Sequence, residues 1–432
     1  MSTSCPSDCQ TKGNKKCVRQ WNMVLHTLYS QMVETMVAKN ISEVRERDCS
    51  GCGACAQACA LSCITMKSDE DGFLFPFVDT DTCVSCGECV KVCPTRICRT
   101  HAVLDAYAAI NQDDKALKGS SSGAIFPLLA QAWIQEGGYV CAAEMMENMS
   151  VKHVLTNDPN ALQKMQGSKY VQSDVSDAFK EIKELLNKGK KVMLVGTPCQ
   201  ISGARNLFAK HLEQMLLVDL ICHGVPSQGF FRSHIDRTYN RSGRLEQVTF
   251  RDKPYYEASS FRLTIKYGAS VRHIEPNRDA YYNLFLSSAS YRESCYVCKY
   301  ACAERVGDIT LGDCSTARMY ACFPYASTVS TVLLSTPTGQ HFWDKVSAHA
   351  TSCLLNLEEE IRRNSQLHRP SVRPKIRDVV YQNFKDLTKK AFEKKYTYHL
   401  TFKQEIRLGV KKLLPLRVKG AIKKLYSTIK KR

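Results

Sequence analysis

Two cysteine-rich segments carry the residues best suited to chemistry in this sequence of 432 residues. They read CSGCGACAQAC at Cys49–Cys59 and CVSCGECVKVC at Cys83–Cys93, so the spacing C-x2-C-x2-C-x3-C occurs twice. Three closely spaced thiolates can wrap one [4Fe–4S] cluster, while the fourth ligates the other cluster. Zinc motifs usually pair two C-x2-C units across a longer gap and leave a third evenly spaced cysteine without a role. The spacing therefore predicts two [4Fe–4S] clusters instead of two zinc ions.

The crossed fourth ligand gives each predicted cluster four cysteines. Site I comprises Cys49, Cys52, Cys55 and Cys93, and site II comprises Cys83, Cys86, Cys89 and Cys59. Small residues between the cysteines, such as Gly51, Gly53 and Gly87, let backbone N–H groups approach the cluster sulfurs. Pro94 follows Cys93, as bacterial ferredoxins prefer, but Ala60 follows Cys59 and Cys63 lies four residues further on. Cys59 or the nearby Cys63 could therefore provide the fourth ligand of site II.

Composition narrows the class of protein. With 22 cysteines and no basic segment followed by an apolar one at the N-terminus, we expect metal ligation in the cytoplasm instead of exported disulfides. No apolar run reaches the roughly 18 to 20 residues that a membrane-spanning helix needs. The net charge of +18 would suit nucleic acid, an anionic membrane or an acidic protein. Since no nucleic-acid motif accompanies this charge, we expect no nucleic-acid binding.

The secondary-structure elements that must position these sites can be predicted from local composition and from the spacing of apolar residues. Together these predict an α+β and α/β multidomain chain. Four regions are expected: an N-terminal extension (1–44), a ferredoxin-like two-cluster domain (45–101), an α/β module (102–345) and a helical, basic C-terminal region (346–432). Within the module we predict a helix at 175–187, strands at 192–195 and 215–221, and a β-hairpin from 247–250 and 261–267.

The two ends of the chain carry weaker signals. We assign no chemistry to Cys5, Cys9 and Cys17, which could form a metal site only with a fourth ligand such as His26. Residues from about 350 onward read as helix-forming, an appendage and not a core. The tail at 403–432 interleaves leucine with lysine and arginine, which fits peripheral contact with the inner face of an anionic membrane or a solvated basic helix.

Six phrases beyond residue 118 point to a family. They are GSSSG at Gly119–Gly123, GSKYVQS at Gly167–Ser173, GTPCQ at Gly196–Gln200, DLICHGVPS at Asp219–Ser227, SCYVCKYA at Ser294–Ala301 and GDITLGD at Gly307–Asp313. From about residue 49 to about residue 335 the sequence resembles the family of coenzyme F420 hydrogenase and dehydrogenase beta subunits. That resemblance implies an α/β flavin-binding module with its own [4Fe–4S] cluster, in a family that includes relatives fused to ferredoxin domains.

Carried over by motif, the resemblance implies two further sites. An FAD site would involve Gly119, Ser120, Ser121, Ser122 and Gly123, with Gly167, Ser168 and Lys169 nearby. Site III, a third [4Fe–4S] cluster, would comprise Cys199, Cys222, Cys295 and Cys298. By itself, a glycine/serine run is more often a loop and helix cap. In the competing interpretation of site III, Cys199 and Cys222 are buried thiols, and Cys295 and Cys298 bind something else together with Cys302. Cys302 and Cys314 are not counted as ligands.

Taken together, these features predict a flavin- and [4Fe–4S]-dependent oxidoreductase. Neither G-x-G-x-x-G nor G-x-x-x-x-G-K-[ST] occurs, so direct use of NAD(P)H is not indicated. A flavin beside one-electron clusters converts between two-electron and one-electron transfer. We expect electron exchange with a ferredoxin or a partner of the hydrogenase/dehydrogenase type, and a small-molecule substrate such as coenzyme F420 or a polysaccharide-pathway metabolite. His223 could donate a proton there or simply form hydrogen bonds. The alternative is a non-catalytic electron-transfer subunit of a larger redox complex.

Overall fold

The computed structural model describes residues 40–239, 245–253, 261–323 and 329–398. The cysteines at positions 5, 9 and 17, His26, and the basic tail with its predicted membrane contact lie outside this part of the chain. In the described part, no helix has the length and apolar character required to cross a membrane.

The cysteine repeats lie in a small unit with little regular structure. Its elements are the 3-10 helices Ile41–Glu43 and Glu46–Asp48, helix α1 (Ala54–Ala58), strands β1 (Ile64–Ser68) and β2 (Leu74–Val78), and helix α2 (Glu88–Lys91). The two strands form an antiparallel pair in which Ile64 lies opposite Val78. Each short helix follows a glycine in the left-handed region, Gly53 before α1 and Gly87 before α2. The predicted duplication is thus visible in the backbone.

The large module is built on an eight-stranded mixed sheet. Its strands and those of a smaller sheet are β3 (Asp105–Asn111), β4 (Tyr139–Met145), β5 (Val151–Thr156), β6 (Val192–Gly196), β7 (Met215–Leu220), β8 (Gln247–Asp252), β9 (Arg262–Tyr267), β10 (Ser270–Ile274), β11 (Ile309–Asp313), β12 (Ser330–Leu334) and β13 (Ala350–Leu354). The order in the large sheet is β13-β3-β12-β11-β7-β6-β4-β5, and β8, β9 and β10 form a separate antiparallel sheet. Strands β4, β6, β7 and β11 run parallel to their neighbours in that set.

Helices cover this framework. They are α3 (Asp114–Gly119), α4 (Ile125–Gln135), α5 (Leu162–Met165), α6 (Ser176–Asn187), α7 (Pro198–Leu207), α8 (Gln228–Thr238), α9 (Ala280–Leu286), α10 (Pro337–Val346), α11 (Leu357–Arg363), α12 (Arg377–Asp386) and α13 (Lys389–Tyr396). Helix α6 confirms the predicted helix, because its residues Ala178, Phe179, Ile182 and Leu186 form one buried face.

The strand predictions in the module are also confirmed. Strand β6 is buried along its whole length, as expected for a central parallel strand covered on both faces. Strand β7 lies beside it, and Val192 is paired with Met215. The predicted hairpin is formed by β8 and β9, with Leu263 and Ile265 buried on its inner face.

The region after residue 350 differs from the prediction. Residues Ala350–Leu354 form β13, which pairs with β3 at the edge of the large sheet, so this segment is not helical. Helices α12 and α13 place Val380, Tyr381, Phe392 and Tyr396 in the largest aromatic core. The described part of this region is therefore integral to the module and not an appendage. The lysine-rich composition concealed the few aromatic residues that decide its packing.

Candidate metal centres

The four thiols of site I are brought together by the structure. Burial raises the pKa of the Cys55 thiol, and Cys49 and Cys93 raise it further because their charges lie close by. Burial likewise raises the pKa of Cys52, with Cys55 and Cys93 as neighbouring contributors. A protein environment that opposes free thiolates in this way favours binding of a cation, which deprotonates a coordinating thiol. The donor set therefore fits an iron–sulfur cluster.

Gly51 explains why the loop of site I needs glycine. Its φ of 66° lies in the left-handed region. A Cβ atom there would lie 2.7 Å from the Gln172 side chain and 2.8 Å from the Leu74 carbonyl oxygen. The loop is thus pressed against both β2 and the large module.

Site II lies closer to the surface. Cys86 is exposed, whereas Cys89 is buried and its thiol pKa is raised by burial and by the nearby Cys86. The Cys59 and Cys63 sulfur atoms are 3.2 Å apart. The hydrogen bond with Cys59 raises the pKa of the Cys63 thiol, and Cys83 lies next to Cys63 as well. The structure therefore keeps Cys63 beside Cys59 at the fourth-ligand position of site II.

The four cysteines of site III, from three separate segments, also converge. Cys199 lies on α7 directly after β6, Cys222 follows β7, and Cys295 and Cys298 lie in and after the 3-10 helix Glu293–Val297. Since β6 and β7 are parallel neighbours, their carboxyl ends meet at one edge of the sheet. Burial raises the pKa of the Cys222 thiol, and the charges of all three partners raise it further. Burial and Cys298 raise the pKa of Cys295 to about 12.

Sites I and III adjoin each other. Cys199 of site III is among the groups that raise the pKa of the buried Cys52 thiol. A Cβ on Gly203 of α7 would lie 3.1 Å from the Cys52 sulfur. A cavity of about 490 Å³ lies between the two units and is lined by Cys199, Cys295 and Cys298 together with Ser50 and Pro94.

One buried arginine connects the same elements. The Arg292 side chain is 2% exposed. It donates hydrogen bonds to the Cys49 carbonyl oxygen (2.6 Å), the Leu74 carbonyl oxygen (2.9 Å) and the Gln172 side chain (3.2 Å). Its backbone N–H donates to the Val225 carbonyl oxygen. Arg292 therefore fixes the site I loop, strand β2 and the segment that carries Cys295. Sequence reasoning missed it, because nothing in SYRESC marks an arginine as buried.

In the described ranges, no three or more histidine, cysteine, aspartate or glutamate side chains are arranged to hold a metal ion. A [4Fe–4S] cluster binds each cysteine through a different iron atom, so its ligands need not converge on a single ion. The cysteines of sites I and III lie close enough to raise one another's pKa, which is sufficient for ligands that bind separate iron atoms.

The glycine/serine loop, Gly119–Gly123, meets the second predicted flavin segment. The Ser121 hydroxyl oxygen accepts hydrogen bonds from the backbone N–H of Ser168 (2.8 Å) and from its hydroxyl (3.0 Å). The Ser120 hydroxyl is buried and has no hydrogen-bond partner. Helix α4 begins after Ala124 without any side-chain cap, so the serines do not serve as its cap.

Lys169 has a different environment from the serines. Its ammonium donates to the carbonyl oxygens of Lys164, Met165 and Gln166, where α5 ends. Burial lowers the pKa of Lys169 to about 7. This lysine stabilises the turn that presents Ser168 to the glycine/serine loop.

Charged residues that sequence reasoning did not identify flank this loop pair. Arg251 forms an ion pair with Asp313 at 2.5 Å. Burial raises the pKa of the Tyr170 hydroxyl, opposed by Arg251 and by a hydrogen bond with Ser168. Lys253 has a buried ammonium without a hydrogen-bond partner, and burial together with Arg251 lowers its pKa to about 8. Tyr170 and Asp313 lay in phrases singled out from the sequence, GSKYVQS and GDITLGD, whereas Arg251 and Lys253 did not.

His223 lies between these charges and site III. It follows Cys222, and its backbone carbonyl oxygen accepts a hydrogen bond from Ser371. Partial desolvation lowers the pKa of the imidazole, and Asp313 and Arg251 act on it in opposite directions.

Comparison with known protein families separates the cysteine-rich N-terminal unit from the large module. Residues 48–97 match the 4Fe-4S dicluster domain, and residues 189–360 match the family described as the C terminus of the coenzyme F420 hydrogenase/dehydrogenase beta subunit. These matches confirm the resemblance drawn from the motifs and the predicted iron–sulfur domain.

Two curated proteins and one solved structure are similar. The chain is 26% identical over 199 residues to a subunit of the F(420)H(2) dehydrogenase of Methanosarcina mazei, which covers 42% of this chain and 55% of the relative. It is 33% identical over 95 residues to a subunit of the Na(+)-translocating ferredoxin:NAD(+) oxidoreductase complex of Acetobacterium woodii. This match covers 22% of this chain and 24% of the relative. The chain thus spans about half of the first relative and a quarter of the second. A chain from the F420-reducing [NiFe] hydrogenase complex of Methanosarcina barkeri gives a TM-score of 0.43 at 19% identity. The superposition covers 61% of this chain and 91% of that chain.

Proposed function

We propose that this chain is a flavin-dependent oxidoreductase with three iron–sulfur clusters. The premise is that it is an iron–sulfur electron-transfer protein related to the coenzyme F420 hydrogenase/dehydrogenase beta subunits. It would exchange electrons with a redox partner at one end and with an organic substrate at the other. The observation that carries this proposal is the series of three neighbouring cysteine sites, II, I and III, which begins at the exposed Cys86.

The order of the sites supports a single path. Site II contains the exposed Cys86 and is therefore the set nearest to a protein partner. Cys89 of site II is among the thiols that raise the pKa of Cys55 in site I, and Cys199 of site III does the same for Cys52. An iron–sulfur cluster carries one electron at a time and a flavin exchanges two with an organic substrate. The chain's contribution is to hold the sites next to one another in the order II, I, III.

The third cluster in this proposal is supported by the convergence of Cys199, Cys222, Cys295 and Cys298 from three segments. Desolvation and the neighbouring thiols oppose the ionisation of Cys222 and Cys295, so these two thiols are unfavourable as free thiolates and fit a cationic cluster. The alternative of unrelated buried thiols leaves this convergence without a cause.

The flavin in this proposal is supported by the loop pair and its charges. Small residues and hydroxyls at Gly119–Gly123 and Ser168 suit a phosphate-bearing cofactor. Arg251 acts electrostatically on Tyr170, which follows Lys169, and Lys253 lies near Arg251, so both supply positive charge on this side of the segment. His223, held between Cys222 and the Arg251–Asp313 pair, would hold or release the proton that accompanies two-electron transfer.

The first experiment measures iron, sulfide and flavin per chain after anaerobic purification. The proposal expects about twelve irons, since three [4Fe–4S] clusters hold four each, and one flavin. A value near eight irons would remove the third cluster, and zinc without flavin would overturn the proposed function.

A matched pair of variants sharpens this measurement. Cys222→Ser should lower the iron content by about four per chain, because site III loses one of four ligands. Cys141→Ser is the control, since Cys141 is a buried cysteine on β4 that lies outside the three sites. Equal iron loss in both variants would indicate general misfolding instead of a lost ligand.

A second candidate function is a non-catalytic electron-transfer subunit. Both curated relatives are named as subunits, which favours this alternative. The isolated chain, reduced with dithionite, is mixed with coenzyme F420 or with candidate metabolites under anaerobic conditions. Substrate-dependent reoxidation of the bound flavin supports the enzyme, whereas reoxidation by ferredoxin alone supports the non-catalytic role.

A further inference from the structure

Two cysteines outside the three sites lie in contact. The Cys322 and Cys353 sulfur atoms are 3.2 Å apart, although 31 positions separate them in sequence. A disulfide bond is about 2.05 Å long, so closing this pair requires a movement of about 1 Å. Cys322 is exposed and Cys353 is half-buried, which makes Cys322 the sulfur that a soluble reagent reaches first.

Both cysteines are held by anchored backbone. Cys353 lies on β13, where it pairs with Ala108 of β3. The segment with Cys322, Cys314–Phe323, is fixed at one end because the buried Glu360 accepts hydrogen bonds from the backbone of Ser315 and Thr316. Tyr320 accepts another from the Asn356 backbone. The two sulfurs are therefore neighbours by construction of the fold and not through freely moving loops.

We propose that Cys322 and Cys353 form a reversible intrachain disulfide with a low-molecular-weight disulfide as oxidant. The Cys322 thiolate attacks the reagent, forms a mixed disulfide and releases one thiol. The Cys353 sulfur then attacks the Cys322 sulfur, the intrachain bond forms and the second thiol leaves. Two protein thiols are oxidised and one reagent disulfide is reduced to two thiols, so atoms and electrons balance.

The bond would tie down a segment next to the Arg251–Asp313 ion pair. Cys314 directly follows Asp313, which pairs with Arg251, and Phe323 is buried in the core that Cys353 also touches. Oxidation would join this segment covalently to the edge strand β13. The pair thus gives the module a redox-dependent covalent cross-link that is separate from the three cysteine sites.

The test uses the full chain, purified anaerobically with its cofactors and incubated with oxidised glutathione. Free thiols are then alkylated and the digest is analysed by mass spectrometry without reduction. We expect the Cys322 and Cys353 peptides to be joined, and reduced glutathione to separate them. In the Cys353→Ser variant, Cys322 should instead retain bound glutathione.

The same samples test whether the disulfide restricts the motion of the segment that carries Cys322. Hydrogen exchange in Cys314–Phe323 should slow at least severalfold on oxidation. Glutathione bound to Cys322 of the wild-type chain without an intrachain bond would overturn the proposal, as would two thiols that stay alkylatable at every glutathione ratio. These results come from the wild-type chain, so they stand even if the variant fails to fold.

Discussion

The dicluster unit and the large module are stabilised by different means. Among the described residues, the hydrophobic cluster confined to the dicluster unit (residues 41–101) has six buried members, of which four are cysteines and two are Ile41 and Ile64. The large module has a core of aromatic and aliphatic side chains, including Phe230, Tyr281 and Phe392. Apolar burial is the main favourable term in folding, and small units with little of it need metals or disulfides. The dicluster unit should therefore depend on its ligands for folding, whereas the module should not.

Within the dicluster unit, the two repeats also differ in their surroundings. Gly53 and Gly87 occupy matching places, each before a short helix with a φ near 75°. A Cβ on Gly53 would lie 3.0 Å from the Ser176 hydroxyl of α6, whereas one on Gly87 would meet nothing within 4 Å. The same sequence phrase is thus buried against the module in one copy and faces solvent in the other.

Iron removal gives the strongest test of this comparison. Chelation under reducing conditions should abolish amide protection in residues 48–97, because metal-binding free energy is folding free energy in such units. Strands β6 and β7 should keep their protection, apart from the cysteine-bearing loops next to them. Hydrogen exchange with mass spectrometry reads both regions in one sample. Simultaneous loss of protection in β6 and β7 would show that the module also depends on the ligands.

Arg292→Ala tests the connection between the two regions. The variant leaves the carbonyl oxygens of Cys49 and Leu74 without a buried donor, and it should lower the free energy of unfolding by about 3 kcal/mol. It should also change the electron paramagnetic resonance signal of the reduced site I cluster. Arg373→Ala is the control, because Arg373 pairs with Glu293 at the surface and should contribute less than about 1 kcal/mol. Equal effects in the two variants would contradict the role of Arg292.

A reciprocal exchange tests the asymmetry of the repeats. Gly51 and Ser85 occupy the matching positions before the second cysteine, with φ values of 66° and 55°. Gly51→Ser should destabilise the holo chain by about 2 kcal/mol or more, because it adds left-handed strain and a contact with the Leu74 carbonyl oxygen. Ser85→Gly should relieve strain and be neutral or stabilising by up to about 1 kcal/mol. Thermal release of iron measures both, and similar losses in the two variants would make the repeats equivalent.

This comparison also explains what the sequence could predict. The dicluster sites follow from local spacing, so Cys49 to Cys59 and Cys83 to Cys93 could be found by counting. Site III and the glycine/serine loop required the motifs of a family, because their residues come from distant segments. Arg251, Arg292 and β13 were missed, since their roles depend on partners far away in the chain. Neighbouring residues determine local geometry, whereas tertiary contacts determine which side chains are buried.

The smallest expected effect concerns a polar network that belongs to the module alone. His234 is buried, and its Nε2 lies 2.8 Å from the Asp279 carboxylate, while its Nδ1 lies 3.7 Å from Glu393 of α13. Burial disfavours the charged imidazole, but the two carboxylates outweigh it and raise the pKa of His234 above its ordinary value. Since the folded pKa is the higher one, the stabilisation is present below about pH 6.5 and is lost as pH rises through the folded pKa.

Raising the pH from 6.5 to 9 should therefore narrow the difference in unfolding free energy between the wild-type chain and His234→Gln. Denaturant titration monitored by tryptophan fluorescence measures it, because Trp133 and Trp343 are buried in the module. His153→Gln is the control of opposite sign. Burial lowers the pKa of His153 to about 4, so its contribution is constant above pH 6.5 and declines only in more acidic solution. If both variants respond alike between pH 6.5 and 9, the His234 network does not hold α13 through charge.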